Sequence, residues 1–290
     1  MTDRFRFDAY EAQVEPIRSS DGERLHELTV SVFWPHRGSD IDLLMALGQG
    51  YIALDEIGRP LGSAMHFQMA EDFAMLGMMV TPPRLQAQGG GRFLLQRIMA
   101  DCEGRDLRLN ATRSGYRLYQ SVGFQNVTTV FQHQGSLGTP PAVDARPGVE
   151  LTAITAQDHA AVHGLDRVAF GADRPAVLDA LLKVSTGVIA SRAGRPVGMA
   201  LMRRFGKGNV IGPLVAESEA LAVQIVAELL RQVPGQFVRL DTPTDGTLLT
   251  GFLTASGIPQ YDTVTEMRIG GHPRSQEGLV TYGLAAHSLG

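Results

Sequence analysis

Gln86-Ala87-Gln88-Gly89-Gly90-Gly91-Arg92 follows an apolar run, Ala74 to Val80, and a Pro82-Pro83 stop, and it opens an apolar helical pattern. Strand, glycine loop and helix in that order form an anion-binding arrangement. The glycines let the backbone approach a ligand closely. The unpaired N–H groups and the dipole at the helix start then favour negative charge. Gln86, Gln88 and Arg92 add side-chain donors to the backbone donors of Gly89, Gly90 and Gly91. Leu94, Leu95, Ile98 and Cys102 form one apolar face that anchors the helix on a sheet. The spacing Q-x-x-G-x-G is neither the dinucleotide fingerprint nor the nucleoside-triphosphate loop.

Working outward, the 290 residues suit about two domains under the usual size prior. The net charge of −4 comes with no basic run, so nucleic acid is not an expected partner. Any phosphate is held locally, by backbone groups. Cys102 is the single cysteine, so no intramolecular disulfide forms, which fits a reducing compartment. The opening residues are polar and no apolar run approaches the ~20 residues of a membrane span. A cytoplasmic protein with no membrane partner is expected.

Residues 138–148 hold three prolines and two glycines and read as a linker. They divide the chain into 1–137 and 149–290. The halves read as copies. Tyr51-Ile52-Ala53 leading to Gly58-Arg59-Pro60-Leu61-Gly62 corresponds to Val188-Ile189-Ala190 leading to Gly194-Arg195-Pro196-Val197-Gly198. Leu76-Gly77-Met78-Met79-Val80 corresponds to Ile211-Gly212-Pro213-Leu214-Val215. Leu107 to Thr112 corresponds to Val238 to Pro243, and Leu118 to Phe124 to Phe252 to Ile258. The fold class expected is α+β (α/β layered): two tandem domains, each a twisted mixed sheet flanked by helices. Asp21 and Asp158 are the expected N-caps of helices near the start of each half. The tail from Leu279 to Leu289 is apolar enough to be a last strand.

A second motif lies downstream of the glycine loop. Thr112-Arg113-Ser114-Gly115-Tyr116-Arg117-Leu118-Tyr119-Gln120-Ser121-Val122-Gly123-Phe124 closely resembles the N-x-x-A-x-x-L-Y-x-x-x-G-F ending of the GNAT-type N-acetyltransferases. The loop at Gln86 to Arg92 is similar to the pyrophosphate loop of that family. The resemblance covers Gln13 to about His133. Thr112 stands where the family often has Asn, and Gly115 where it often has Ala, so cofactor contacts there differ. The resemblance implies acetyl-CoA as cosubstrate. It implies a strand that splays from its neighbour after Val80, with Met78, Met79 and Val80 pairing to the pantetheine arm. It also implies that Tyr119 protonates the leaving thiolate. A phenol with an ordinary pKa of about 10 stays protonated at neutral pH and can donate. The other reading of Tyr119 is a core aromatic with a satisfied hydroxyl.

The general base is not visible, because Ala74 to Val80 carries no ionisable side chain. The nearest candidates are Glu71, Asp72 and His66, with His36 in the irregular segment Trp34 to Asp40. Trp34, His36 and Arg37 are candidates for contacting substrate, the alternative for Trp34 being a place on the core. His159 and His163, four apart, lack a third ligand, so no metal is expected. In the second half Ala216-Glu217-Ser218-Glu219 replaces the glycine loop and Leu253 replaces Tyr119. That half is therefore expected not to bind acetyl-CoA but to complete the substrate cleft, stabilise the first half or form a dimer interface. The expected activity is transfer of an acetyl group to a primary amine of a small molecule or peptide. The other reading of the same motifs is a non-catalytic acyl-CoA-binding or sensing protein.

Overall fold

A computed structural model describes residues 3–7, 10–271 and 273–290. Residues 1, 2, 8 and 9, part of the polar opening segment, and His272 lie outside the description. The first half runs β1 (Asp3–Phe7), β2 (Tyr10–Pro16), α1 (Gly22–Ser31), α2 (Gly38–Leu47), β3 (Gln49–Leu54), β4 (Pro60–Met69) and β5 (Phe73–Val80). It continues with α3 (Gly90–Ala100), β6 (Asp106–Ala111), α4 (Tyr116–Gln120) and β7 (Gln125–Ser136). The second half repeats the order from β2 onward: β8 (Val149–Ala153), α5 (His159–Phe170), α6 (Pro175–Val184), β9 (Ser185–Arg192), β10 (Arg195–Phe205) and β11 (Gly208–Ala216). Then come α7 (Glu219–Leu230), β12 (Phe237–Thr242), α8 (Thr247–Ala255), β13 (Gln260–Ile269) and a further β14 (Val280–Gly283). No helix among the described residues is long and apolar enough to cross a membrane.

Instead of two separate sheets, the strands form one sheet in the order β1-β2-β3-β4-β5-β6-β13-β7-β12-β11-β10-β9-β8, with β14 on β11. The sequence boundary at residues 138–148 is therefore not a boundary in space. Each half gives its last strand to the other. β13 pairs antiparallel with β6, from Thr265 opposite Ala111 to Ile269 opposite Leu107. β7 pairs antiparallel with β12, from Phe237 opposite Ser136 to Thr242 opposite Phe131. The two exchanged strands pair with each other through Val130 and Val264 near the middle of the sheet. Exchange satisfies the edges of β6 and β12 with backbone hydrogen bonds that neither half supplies from its own strands.

The core repeats this sharing. Leu25, Leu28, Ile41, Phe67, Phe73 and Met75 of the first half form one buried cluster with Phe170, Val177, Leu181 and Leu201 of the second. On the opposite face α3 lays Leu94, Leu95 and Ile98 against Ala64, Ala74 and Leu109. Cys102 belongs to that packing, and burial pushes its thiol up to about 11. Asp21 and Asp158 occupy the N-cap positions but do not cap. Asp21 instead accepts from the Arg18 N–H (2.8 Å), and Asp158 from the Thr155 N–H (2.8 Å). Each closes a short turn ahead of its helix, so the carboxylate is spent on the turn.

Candidate active site

The parallel ladder between β5 and β6 runs from Phe73–Asp106 to Leu76–Leu109 and goes no further. The strands therefore part at Gly77, before Val80 rather than after it. Met78 takes φ +47, a left-handed backbone that costs a side-chain-bearing residue energy. The β4–β5 register shifts at the same place, between Ser63 opposite Val80 and Met65 opposite Gly77. The Ser63 hydroxyl donates to the Met78 carbonyl (2.8 Å) and holds the bulge. Met78, Met79 and Val80 thus follow the parting, and the first two line a cavity of about 380 Å³.

Beyond β5, Gly89 at φ +86 turns the chain into α3. Phe93 is the first residue of that helix whose N–H reaches back to the Gly89 carbonyl (3.0 Å). The N–H groups of Gly90, Gly91 and Arg92 belong to the first turn, ahead of any helical acceptor. The loop side chains are used differently from the expectation. Gln86 donates to the Thr81 carbonyl (3.1 Å) and Gln88 to the Arg84 carbonyl (3.2 Å), while Arg92 donates to the Ser121 hydroxyl (2.7 Å). They brace the loop and tie it to α4.

Tyr119 lies across the parting, on α4. It is buried, edge-on to Phe124 with ring centroids 6.0 Å apart, and it lines the same cavity. Burial raises its pKa, so the phenol keeps its proton. Its hydroxyl has no hydrogen-bond partner among the described residues, unlike a tyrosine kept for packing. Gly115 explains its own departure from the family pattern: a Cβ there would lie 2.9 Å from the Tyr119 ring. Thr112 reaches the cavity, with its hydroxyl 3.1 Å from that of Ser114.

Of the candidates for substrate contact, Trp34 and His36 line the cavity. His36 is held neutral: burial pushes its pKa down to about 4, helped by Arg239, His287 and Arg203 and opposed by Asp40. Arg37 is turned away and binds Asp40 through its N–H (2.8 Å) and guanidinium (3.3 Å). His66 is buried 3.5 Å from Asp101, past the end of α3 and outside the cavity. Glu71 and Asp72 are exposed in the β4–β5 turn. They were near the site in sequence only. The eight-residue β5 separates them from Val80 by roughly 25 Å at about 3.3 Å per residue. His163 pairs with Asp179 (3.0 Å), and no group of metal-binding side chains occurs among the described residues.

The sequence allows the second half a share in the cleft but does not single out the residues that it and the tail supply. Arg203 and Phe205 of β10 and Arg239 and Asp241 of β12 face the cavity, as do Ala285 to Ser288. Arg239 grips Asp241 with its Nε (3.0 Å) and Nη2 (2.8 Å). Burial pushes the Asp241 carboxyl up, but Arg239 and His287 outweigh it and hold the group well below the usual carboxylate range. The tail is clamped: Arg174, itself paired with Asp166 at 2.7 Å, donates to the carbonyls of Leu289 (2.6 Å) and Gly290 (2.8 Å). The one available signal was the unusual pairing of Arg239 and Asp241 two apart on an apolar strand.

The second half has the same parting of strands, between β11 and β12, whose ladder covers only Asn209–Val238 and Val210–Arg239. There β14 fills the gap. It pairs with β11 through Leu214–Gly283, Val215–Thr281 and Ala216–Val280, and the Leu284 N–H donates to the Asp241 carbonyl (2.8 Å). Leu214 and Val215 are the counterparts of Met79 and Val80. Ser218 caps α7, Glu219 accepts from the Leu249 N–H (2.8 Å), and Leu253 is fully buried.

Two family models, both described as acetyltransferase (GNAT) domain, match residues 44–144 and 162–283. The chain belongs to the GNAT acetyltransferases as a tandem two-domain member. It is 26% identical over 233 residues to the Bacillus subtilis protein YitH, described as an uncharacterized N-acetyltransferase, covering 79% of this chain and 81% of the relative. It is 25% identical over 242 residues to the holothin acyltransferase of Pseudoalteromonas sp. (strain SANK 73390), covering 79% and 78%. A putative acetyltransferase from Pyrococcus horikoshii has the same fold, with TM-score 0.78 and 20% identity over 99% of this chain and 98% of that one. A tandem GNAT protein from the clavulanic acid biosynthesis pathway superposes with TM-score 0.60 and 14% identity, over 91% of this chain and all of its own.

Proposed function

We propose that the chain transfers the acetyl group of acetyl-CoA to a primary amine, using the first half as the catalytic unit. One observation carries the reading. The parted strands β5 and β6, the Gly89–Arg92 helix start and the unpartnered Tyr119 hydroxyl are arranged around one parting of the sheet. The first-turn N–H groups of α3 suit a pyrophosphate. The backbone of Met78 to Val80, released from β6, suits the amides of a pantetheine arm, and an N–H there stabilises the oxyanion. The amine nitrogen attacks the thioester carbon, forming the C–N bond as the C–S bond breaks. Tyr119 gives its proton to the departing sulfur.

The acceptor enters from the side walled by Trp34, His36, Phe205 and Arg239. That wall is mixed in polarity and encloses a volume suited to a small molecule or a chain end. The relative named a holothin acyltransferase supports a small-molecule acceptor, and its name leaves the length of the acyl group open. Thiol release from acetyl-CoA in the presence of a panel of primary amines tests the reading. Amine-dependent release with an amide product supports it. Tight acetyl-CoA binding with no release under any amine replaces it with an acyl-CoA-binding or sensing protein.

A further inference from the structure

We propose that His287, carried into the site by the tail beyond β14, is the general base of the reaction. The inference rests on the transferase reading above. The tail crosses the floor of the β5–β6 parting. The Asn110 side-chain amide of β6 donates to the His287 carbonyl (2.8 Å), and any side chain added at Gly77 of β5 would run into Ser288. His287 therefore sits between the two strands at the point where they separate, beside the backbone assigned to the thioester. Its imidazole is a quarter exposed, toward the cavity that Tyr119 also lines.

The ring is oriented. Nε2 lies 3.2 Å from Asp241 Oδ2 and 3.3 Å from Arg239 Nη2, which itself donates to the same carboxylate oxygen (2.8 Å). With its proton on Nε2, toward the anionic Asp241, the ring presents the Nδ1 lone pair as the acceptor. Nδ1 has no partner among the described residues.

The other ionisable groups of the wall are committed elsewhere. Asp40 accepts from the Arg37 N–H (2.8 Å) and the Gly206 N–H (3.2 Å). Asp241 is taken by Arg239 and by His287 itself. His36 is too weak a base for the task, and Asp262 is exposed at the rim, accepting from the Thr263 N–H (2.8 Å). Arg203, Arg239 and Lys207 are cations and cannot accept.

In the step, the amine nitrogen bonds to the thioester carbon and its excess proton passes to His287 Nδ1. The C–S bond breaks and Tyr119 Oη–H protonates the sulfur. One proton has left nitrogen and one has reached sulfur. Solvent then carries the proton from His287 to the Tyr119 phenolate and restores both groups. The sealed second half thus lends the open first half a base that its own strands lack.

The test uses the full chain, with spermidine, glucosamine and triglycine as acceptors. His287→Gln keeps the shape of the ring's hydrogen bond to Asp241. It is expected to lower kcat/KM on the order of 10²-fold near pH 7.5. Acetyl-CoA affinity should be unchanged. The charged side chains in contact with the His287 ring are Asp241 and Arg239 of β12. His287→Ala should regain turnover on addition of imidazole. Turnover of His287→Gln within about threefold of wild type, or a His287→Ala loss without imidazole rescue, overturns the assignment while leaving the transferase reading intact. A wild-type chain that binds acetyl-CoA but acetylates none of the three amines removes the transferase reading, and this assignment with it.

Discussion

The two partings of the sheet, β5 from β6 and β11 from β12, are the same device put to opposite uses. At the first, the strand backbone beyond Leu76 faces a cavity, and a glycine turn and a tyrosine stand on either side. At the second, β14 lies in the gap and pairs with Leu214 to Ala216, a capped helix with two nearby carboxylates replaces the glycine turn, and Leu253 packs where the tyrosine would be. One parting thus faces a cavity and the other is filled by the chain itself. The filling segment then runs on to the first parting. The strand exchange between β7 and β13 is what brings the two partings close enough for one tail to touch both.

The largest expected effect comes from cutting that dependence. Residues 1–137 and 149–290 expressed apart should fail to give folded monomers by circular dichroism and size exclusion. Each leaves a strand edge bare and a core cluster half filled. Co-expression should recover a stable complex. A folded, monomeric 1–137 would show that the exchange is dispensable.

Tyr119→Phe sharpens the comparison next. Turnover should fall on the order of 10²-fold with acetyl-CoA affinity nearly unchanged, read by thiol release and calorimetry. Unchanged turnover removes Tyr119 from the mechanism. Gly91→Glu then makes the first loop resemble the second. The Gly91 position has room, since a Cβ would meet Leu118 at an ordinary 3.5 Å. The added carboxylate opposes the phosphates at the helix start, so the dissociation constant for acetyl-CoA should rise at least about tenfold, or ~1.4 kcal/mol. An unaltered constant would mean that the pyrophosphate sits elsewhere.

The smallest effect is on acid stability. His36 has its pKa pushed down from 6.5 to about 4 in the folded chain. Between those values the unfolded chain binds a proton that the folded chain refuses. Stability therefore falls as pH drops from 6.5 toward 4. His36→Gln should lose less thermal stability than wild type over that window. An identical loss would show that the histidine is not neutral and buried in solution.

The strands and helices of each half, and the glycine loop of the first, are legible in the sequence because they rest on local periodicity and local turn chemistry. Tyr119 was legible for the same reason, lying within a contiguous motif. The exchange of β7 and β13 was not. A strand's alternation records which face is buried, and it reads the same whichever antiparallel neighbour it pairs with. Glu71 and Asp72 are near Val80 in sequence but not in space, because the extended β5 lies between them. His287 and Asp241 were invisible as a pair, since only the return of the tail through two strand gaps brings them together. Trp34 and His36 reach the cavity while Arg37 does not, because Asp40 at the start of α2 draws the arginine away.

Titration of the full chain with acetyl-CoA by calorimetry tests the contrast between the two halves most directly. One site per chain, lost or weakened by Gly91→Glu and untouched by Glu219→Gln, is the predicted result. Two sites per chain, or one that survives Gly91→Glu and vanishes with Glu219→Gln, would contradict it.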